Sequence, residues 1–158
     1  MKNKILILLF VLGATLSSCI PDEVCREETK VVAGIGCKWV KVNDDNENVL
    51  QLVWDTVSMN GVGRDSVLYD KSLNQNVIYA PLRSDVNQTG MSIKWHGKTD
   101  TLWIQHQNEQ HFISMACGCF IYHSIDSVWG CKHFIDTAYV VNTSVTNVKE
   151  TNIIVELK

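Results

Sequence analysis

The sequence predicts an all-β fold, an antiparallel β-sandwich of immunoglobulin-like or related type with roughly eight to ten short strands. From residue 28 onward, short runs of alternating apolar and polar residues are rich in Val, Ile, Thr, Tyr and Trp, which favour strands. Clusters of Asn, Asp and Gly separate these runs, as turns require. No segment of the sequence has the apolar period of a sustained helix.

These runs place the strands in order along the chain. We expect strands at residues 30–42, 49–57, 66–69, 77–81, 91–95, 99–106, 111–115, 120–128, 133–142 and 152–157. Turn-forming clusters fall at residues 43–46, 60–63, 87–90 and 96–98. Strands this short and this closely spaced are typical of one sandwich or barrel-like sheet.

The alternation also predicts which tryptophans lie in the core. Trp54 and Trp95 each alternate with aliphatic residues, so both are expected to be buried. Trp103 instead shares its face with Thr101 and Gln105. An aromatic ring on a polar face is either a partly covered surface residue or a contact for a sugar ring. Trp103 is therefore the candidate ligand contact.

The first 18 residues have the features of a lipoprotein signal peptide. Lys2 and Lys4 precede an apolar run at residues 5–12, which is too short to span a bilayer. The sequence LSSC at 16–19 resembles the bacterial lipobox, whose cysteine is acylated and becomes the first residue of the mature protein. The chain is thus expected to consist of a signal peptide at 1–18, a lipid anchor with a short tether at 19–27, and a single β-sandwich domain at 28–158.

Removal of the signal leaves 140 residues, with 12 basic and 17 acidic side chains. One domain of this size buries a hydrophobic core of its own. The negative charge and the lack of a basic stripe argue against nucleic acid as a partner. We expect the acylated Cys19 to attach the protein to the lipid bilayer of the outer membrane, facing the periplasm or the cell surface.

Five cysteines follow Cys19, and an exported protein favours disulfides. Two bridges among five cysteines allow about 15 connectivities, so the residues alone leave the pairing open. The alternative hypothesis is a soft-metal or redox site, because thiolates and imidazole suit Zn²⁺ or Cu⁺. Its residues would be Cys117, Cys119, Cys131 and His133. Their spacing matches no established zinc motif, so we assign no metal.

The sequence has no motif for catalysis or for a cofactor. It lacks the nucleophile elbow G-x-S-x-G, the metalloprotease motif H-E-x-x-H, the P-loop and the redox motif C-x-x-C. We therefore predict neither an enzyme nor a bound cofactor. The remaining histidines are expected to be core or solvated residues; they are His96, His106, His111 and His123.

An Asp-Ser/Thr-apolar triplet occurs five times, which is more often than chance predicts. It resembles the O-glycosylation acceptor of exported Bacteroidetes proteins, in which the hydroxyl carries the sugar. The candidate hydroxyls are those of Thr56, Ser66, Thr101, Ser127 and Thr137. The alternative interpretation is structural, because an Asp in a turn, followed by Ser or Thr and a core residue, commonly begins a strand.

Five segments together resemble a Bacteroidetes lipoprotein family that is known only as a domain of unknown function. They are CREET at 25–29, RDSVLYD at 64–70, APL at 80–82, DTL at 100–102 and ISMACG at 113–118. The resemblance implies a small β-rich lipoprotein in which Cys25 and Cys117 form a disulfide. The sequence departs from the family pattern in Cys37, Cys119 and Cys131, whose pairing stays open. The family brings no assigned activity.

These observations favour a membrane-anchored, non-catalytic module that binds a protein partner or a glycan, or that supports the envelope structurally. With Cys25 tied to the domain, the free tether is residues 20–24, which span at most about 17 Å. Such a domain stays close to its membrane.

The intact mass of the membrane-extracted protein tests the predicted anchor. We expect a chain that begins at Cys19 and carries the added mass of its acyl chains, because the lipobox directs both acylation and cleavage. A mature form without lipid, starting at another residue, would contradict this prediction.

Overall fold

The computed structural model of the chain describes residues 24–43, 46–130 and 133–158, and it gives the side chains of these residues except at 40–43 and 46–52. The described residues form two packed β-sheets and no helix, so none of them belongs to an apolar helix that would cross a membrane. The predicted β-sandwich is confirmed. The strands are β1 (Ala33–Asn43), β2 (Asn46–Leu52), β3 (Val57–Gly61), β4 (Val67–Ser72), β5 (Val77–Ala80), β6 (Gln88–Trp95), β7 (Lys98–Ser114), β8 (Gly118–Gly130), β9 (Ile135–Val140), β10 (Ser144–Val145) and β11 (Thr151–Leu157).

The strands are divided between a five-stranded and a six-stranded sheet. The five-stranded sheet has the order β2-β1-β11-β9, and β5 pairs with β1 on the edge that β2 also uses. The six-stranded sheet has the order β10-β8-β7-β6-β3-β4. The pairs are antiparallel except for β1 with β11, which run parallel from Gly34 opposite Thr151 to Trp39 opposite Leu157. This parallel pair places the first strand of the domain beside the last.

The observed strands differ most from the prediction at three places, and the sequence prediction also missed the short strand β10. The predicted strands 99–106 and 111–115 are one strand, β7, because the polar residues between them pair with β8. The predicted strand 49–57 ends at Leu52, and Val57 begins the separate strand β3. The predicted turn at 87–90 belongs largely to β6, which starts at Gln88.

The core lies between the sheets and is built by the alternation that predicted the strands. Its buried side chains include Ile35, Ile153 and Val155 from the first sheet and Met59, Ile93, Leu102, Ile104 and Ile125 from the second. Trp54 is fully buried, as predicted, and its Nε1 donates a hydrogen bond to the carbonyl of Ile35 at 3.2 Å. Trp95 is partly buried against the core, and its Nε1 donates to Asp55 at 2.6 Å.

A buried carboxylate joins the second sheet to the first. Asp100, near the start of β7, is 1% exposed and accepts hydrogen bonds from three consecutive backbone N–H groups. The donors are His133 at 3.1 Å, Phe134 at 2.8 Å and Ile135 at 2.8 Å. Burial alone would raise the pKa of this carboxyl group, but these hydrogen bonds outweigh it and hold the pKa of Asp100 below its usual value. Because Ile135 begins β9, the carboxylate fixes the chain where it crosses between the sheets.

We expect Asp100→Asn to lower the free energy of unfolding by about 3 kcal/mol, because the amide loses charge-assisted hydrogen bonds and turns its own donors toward N–H groups. Asp136→Asn is the matched control, since the Asp136 side chain is exposed and lies 3.9 Å from Lys158; it should change the free energy by less than about 0.5 kcal/mol. Urea unfolding at pH 7 measures both. Equal stability of the two variants would contradict the role of Asp100.

Candidate functional site

The outer face of the six-stranded sheet carries two tryptophans side by side. Trp103 of β7 lies directly opposite Trp129 of β8, so both side chains emerge from the same face. Trp129 is 43% exposed, whereas Trp103 is partly buried. We use the name tryptophan face for this pair together with its flanking polar residues Ser92, Thr101, Gln105 and Ser127.

The ring of Trp103 lies over a glycine of the neighbouring strand. Gly90 of β6 is opposite Trp103, and a Cβ at Gly90 would lie only 2.5 Å from Cζ3 of the indole. The ring therefore covers the Gly90 backbone, a contact that only glycine permits. Trp129 is the functional candidate that the sequence prediction missed, although the alternation of β8 places it with Ser127 on the polar face.

A groove of about 260 Å³ lies between the β3–β4 turn and the loop that follows β5. Its lining includes three charged side chains, those of Arg64, Arg83 and Asp85. It also includes residues of the segments 64–70 and 80–82, which carry the family resemblance. Arg83 donates two hydrogen bonds to Asp85, at 2.6 and 3.0 Å, and these lower the pKa of Asp85 to about 2. Arg64 lies 3.5 Å from the same carboxylate. The three side chains leave one positive charge in excess, so the groove suits a small acidic group.

A polar pair lies beside the β6–β7 turn. The carboxylate of Asp55 lies 2.9 Å from Nε2 of His96 and also accepts the hydrogen bond from Trp95. The contact with His96, and then that with Trp95, lowers the pKa of Asp55. Within the described residues, no serine, threonine or cysteine side chain is hydrogen-bonded to the His96 ring. Thr56 and Ser58 line the pocket that contains this pair, and neither hydroxyl is hydrogen-bonded to the ring.

Two histidines form a buried polar cluster in the core. His106 and His123 are 0% and 5% exposed, and their ring centroids lie 5.2 Å apart. Nδ1 of each ring lies within 3.0 Å of Oδ1 of Asn108, so both Nδ1 atoms donate to this oxygen. Nε2 of His106 then accepts a hydrogen bond from the hydroxyl of Thr89 at 2.8 Å.

Neutral imidazoles satisfy the hydrogen bonds of this network. Burial lowers the pKa of His106. Burial also lowers the pKa of His123 to about 4, and the proximity of His106 adds to the effect. Both rings are therefore core side chains without charge at neutral pH, one of the two environments that the sequence predicts for them.

The structure separates the residues of the soft-metal hypothesis. Cys117 is bonded to Cys25, the pair that the family resemblance implies, with 4.7 Å between their Cα atoms. Cys119 is an exposed free thiol near the start of β8, whereas His133 follows the end of that strand. A strand of this length spans roughly 40 Å, so no ion contacts both residues. Cys131 lies outside the described residues, and the rest of the described chain contains no group of three His, Cys, Asp or Glu side chains placed to hold a metal.

The candidate glycosylation hydroxyls differ in exposure. Thr101 is partly buried, and the exposed ones are those of Thr56, Ser66, Ser127 and Thr137. Two triplets fit the structural interpretation, because their third residues, Val57 and Leu102, are fully buried. Val67 is 64% exposed, so its triplet does not begin a core strand. Glycosylation of the exposed hydroxyls stays a prediction.

The predicted lipid anchor, Cys19, lies outside the described residues, and Val24 is the first residue described. Residues 56–156 match the model of a family of unknown function (DUF6452), which extends over the strands from β3 to β11 and includes the tryptophan face. No curated protein and no solved structure matches the chain.

The histidine cluster predicts a loss of stability in mild acid. Between pH 6.5 and about 4 the unfolded chain binds a proton at His123 that the folded chain does not bind, so the free energy of unfolding falls as the pH falls. Between pH 7.5 and pH 5, His123 alone should lower the free energy of unfolding by about 2 kcal/mol. Urea unfolding at the two pH values measures this loss.

His123→Gln should flatten this pH dependence, whereas His111→Gln, at an exposed position, should leave it unchanged. A chain whose stability is equal at pH 7.5 and pH 5, or a His123→Gln variant that keeps the full dependence, would contradict the assignment of neutral buried rings.

Proposed function

The chain belongs to the DUF6452 family, whose function is unknown, and we propose that it is an exported, lipid-anchored module that binds a neutral glycan through the tryptophan face. The anchor is Cys19, at the outer membrane. The positive residues, the apolar run and the lipobox of the first 19 residues support it. The module binds its ligand without transforming it.

The observation that carries this function is the pairing of Trp103 with Trp129 on a solvent-facing sheet. The faces of sugar rings are apolar C–H surfaces, which stack on indole, and their edges are hydroxyls, which need donors and acceptors nearby. The tryptophan face offers both kinds of group, because the amide of Gln105 and the hydroxyls of Ser127 and Thr101 flank the rings. Two rings on adjacent strands, about 5 Å apart at their backbones, suit an extended ligand with more than one sugar.

The charge of this surface favours a neutral ligand. The four flanking residues are hydroxyl and amide side chains, and the charged side chain beside them is the carboxylate of Asp126, which precedes Ser127 and accepts hydrogen bonds from Gln107. An acidic polysaccharide has a better match in the groove of Arg64 and Arg83. The lack of a carboxylate pair or an imidazole among these flanking residues fits binding without hydrolysis.

An array of neutral and acidic oligosaccharides, probed with the folded domain, tests the ligand class. We expect retention of neutral oligosaccharides and loss of this retention in Trp129→Ala. Removing a stacked aromatic from a binding site commonly costs about 2 kcal/mol, which is roughly a 30-fold loss of affinity.

Trp39→Ala is the matched control, because Trp39 is 45% exposed, close to the 43% of Trp129, but belongs to the other sheet. The Trp39→Ala variant should have the same affinity for neutral oligosaccharides and the same melting temperature as the unaltered chain. Equal affinity losses in both variants, or retention of acidic sugars alone, would refute the tryptophan face as the binding surface.

A further inference from the structure

The distal part of the β7–β8 hairpin projects beyond the strands that flank it. β6 pairs with β7 only as far as Gln105, and β10 pairs with β8 only at His123 and Ser124. Residues 109–122, which we call the arm, therefore pair only with each other among the described strands. One face of this ribbon is covered, since Phe120 is 8% exposed and Tyr122 donates a hydrogen bond to Asn147 at 2.9 Å, whereas the opposite face is open to solvent or to a partner.

One face of the arm is apolar and exposed. Phe112 lies opposite Cys119, and Ile121 is its diagonal neighbour, so these three side chains share a face. Nearer the sandwich the same face carries the buried His106 and Ile125. The arm thus extends a core face past the region where the other sheet covers it, and Phe112 is 63% exposed there.

The tip of the arm carries the most exposed apolar side chains among the described residues. Met115, in the turn, is 88% exposed, and Val24, next to the bridged Cys25, is 75% exposed. Residues 112–121 contain no acidic, basic or histidine residue. The nearest such residues on the arm are Glu109 and His111, which lie 3.3 Å from each other. The tip of the hairpin is therefore an apolar surface, and the charged side chains beside it belong to the bridged segment, where exposed Arg26 and Glu27 follow Cys25.

A disulfide fixes this tip to the start of the domain. Cys117, in the turn of the arm, is bonded to Cys25. Only residues 20–24 separate Cys25 from Cys19, so the two cysteines are at most about 20 Å apart along an extended chain. A lipid on Cys19 therefore keeps the tip near the bilayer surface, whatever the direction of the tether.

We propose that the arm tip, formed by Val24, Phe112, Met115 and Ile121, inserts into the interface of the bilayer that carries the lipid anchor. This insertion rests on the acylation of Cys19 proposed above. Uncharged apolar side chains enter the boundary between headgroups and acyl chains favourably, and the anchor raises their effective concentration there. The bilayer is the occupant because the bridge and the short tether deliver the tip to lipid rather than to a soluble partner.

A fluorescent label on Cys119 tests the insertion, since this exposed thiol lies opposite Phe112. The full lipidated chain, labelled with an environment-sensitive dye, is reconstituted into vesicles of phosphatidylethanolamine and phosphatidylglycerol, and peptide masses verify the labelled position. We expect blue-shifted emission and at least twofold stronger quenching by lipids with a nitroxide near the headgroup than by a water-soluble quencher. The control label, at Leu73→Cys in a Cys119→Ser chain, occupies an exposed apolar position away from the arm and should stay in water.

Substitutions at the tip give the second measurement. Phe112→Ser combined with Met115→Ser should remove at least half of the lipid quenching of the Cys119 label, whereas Val67→Ser combined with Leu73→Ser, at similarly exposed positions, should not. If circular dichroism shows that the tip variant is unfolded, the labelled unaltered chain decides alone.

The outcomes separate the two proposals. A protein without acyl mass on Cys19 overturns the anchor. An acylated protein whose Cys119 label is as accessible to water as the label at position 73 overturns the insertion and leaves the anchor intact.

Discussion

The buried carboxylate of Asp100 is the constraint on which the arrangement of the two sheets depends. It lies at the start of β7 in one sheet and binds three backbone N–H groups at the entry to β9 in the other. β9 pairs with β11, and β11 pairs with β1. The Asp100 carboxylate therefore fixes the edge strand of the five-stranded sheet relative to the six-stranded sheet. An uncompensated charge at this depth would be strongly destabilising, and the row of N–H donors is what makes the buried anion stable.

The β7–β8 hairpin unites the features that bear on function. Its open end carries Trp103 and Trp129, its inner face carries the neutral histidine cluster, and its turn carries the bridge at Cys117. The two strands are the longest that the described residues form, and the pairing between them is continuous apart from two irregularities. A ligand on the tryptophan face and a bilayer at the arm tip would therefore contact two regions of the same rigid ribbon.

The sequence predicts the parts of this structure that depend on local periodicity. Alternation identifies the β-sandwich, the buried Trp54 and the polar face of Trp103. It does so because successive side chains of a strand point to opposite faces of the sheet. It does not identify the continuity of β7, since the polar residues between the two apolar runs look like a turn until β8 pairs with them. Contacts that depend on register escape it as well: the meeting of His106 with His123, the pairing of Trp103 with Trp129, and the separation of Cys119 from His133 along β8. The parallel pairing of β1 with β11 is a choice of neighbour, which strand composition does not encode.

The position of the Cys25–Cys117 bridge determines how the domain carries mechanical load. A force on the segment before Cys25 reaches the turn of the hairpin through the bridge and does not first pass through Ala33, where β1 begins. β1 holds three neighbours, β2, β5 and β11, so peeling it from its N-terminal end would open the five-stranded sheet strand by strand. The bridge instead transmits part of the force to β7 and β8, where it is distributed over the hydrogen bonds between these two strands. Tension on this segment would thus be carried in part by β7 and β8 and not by β1 alone.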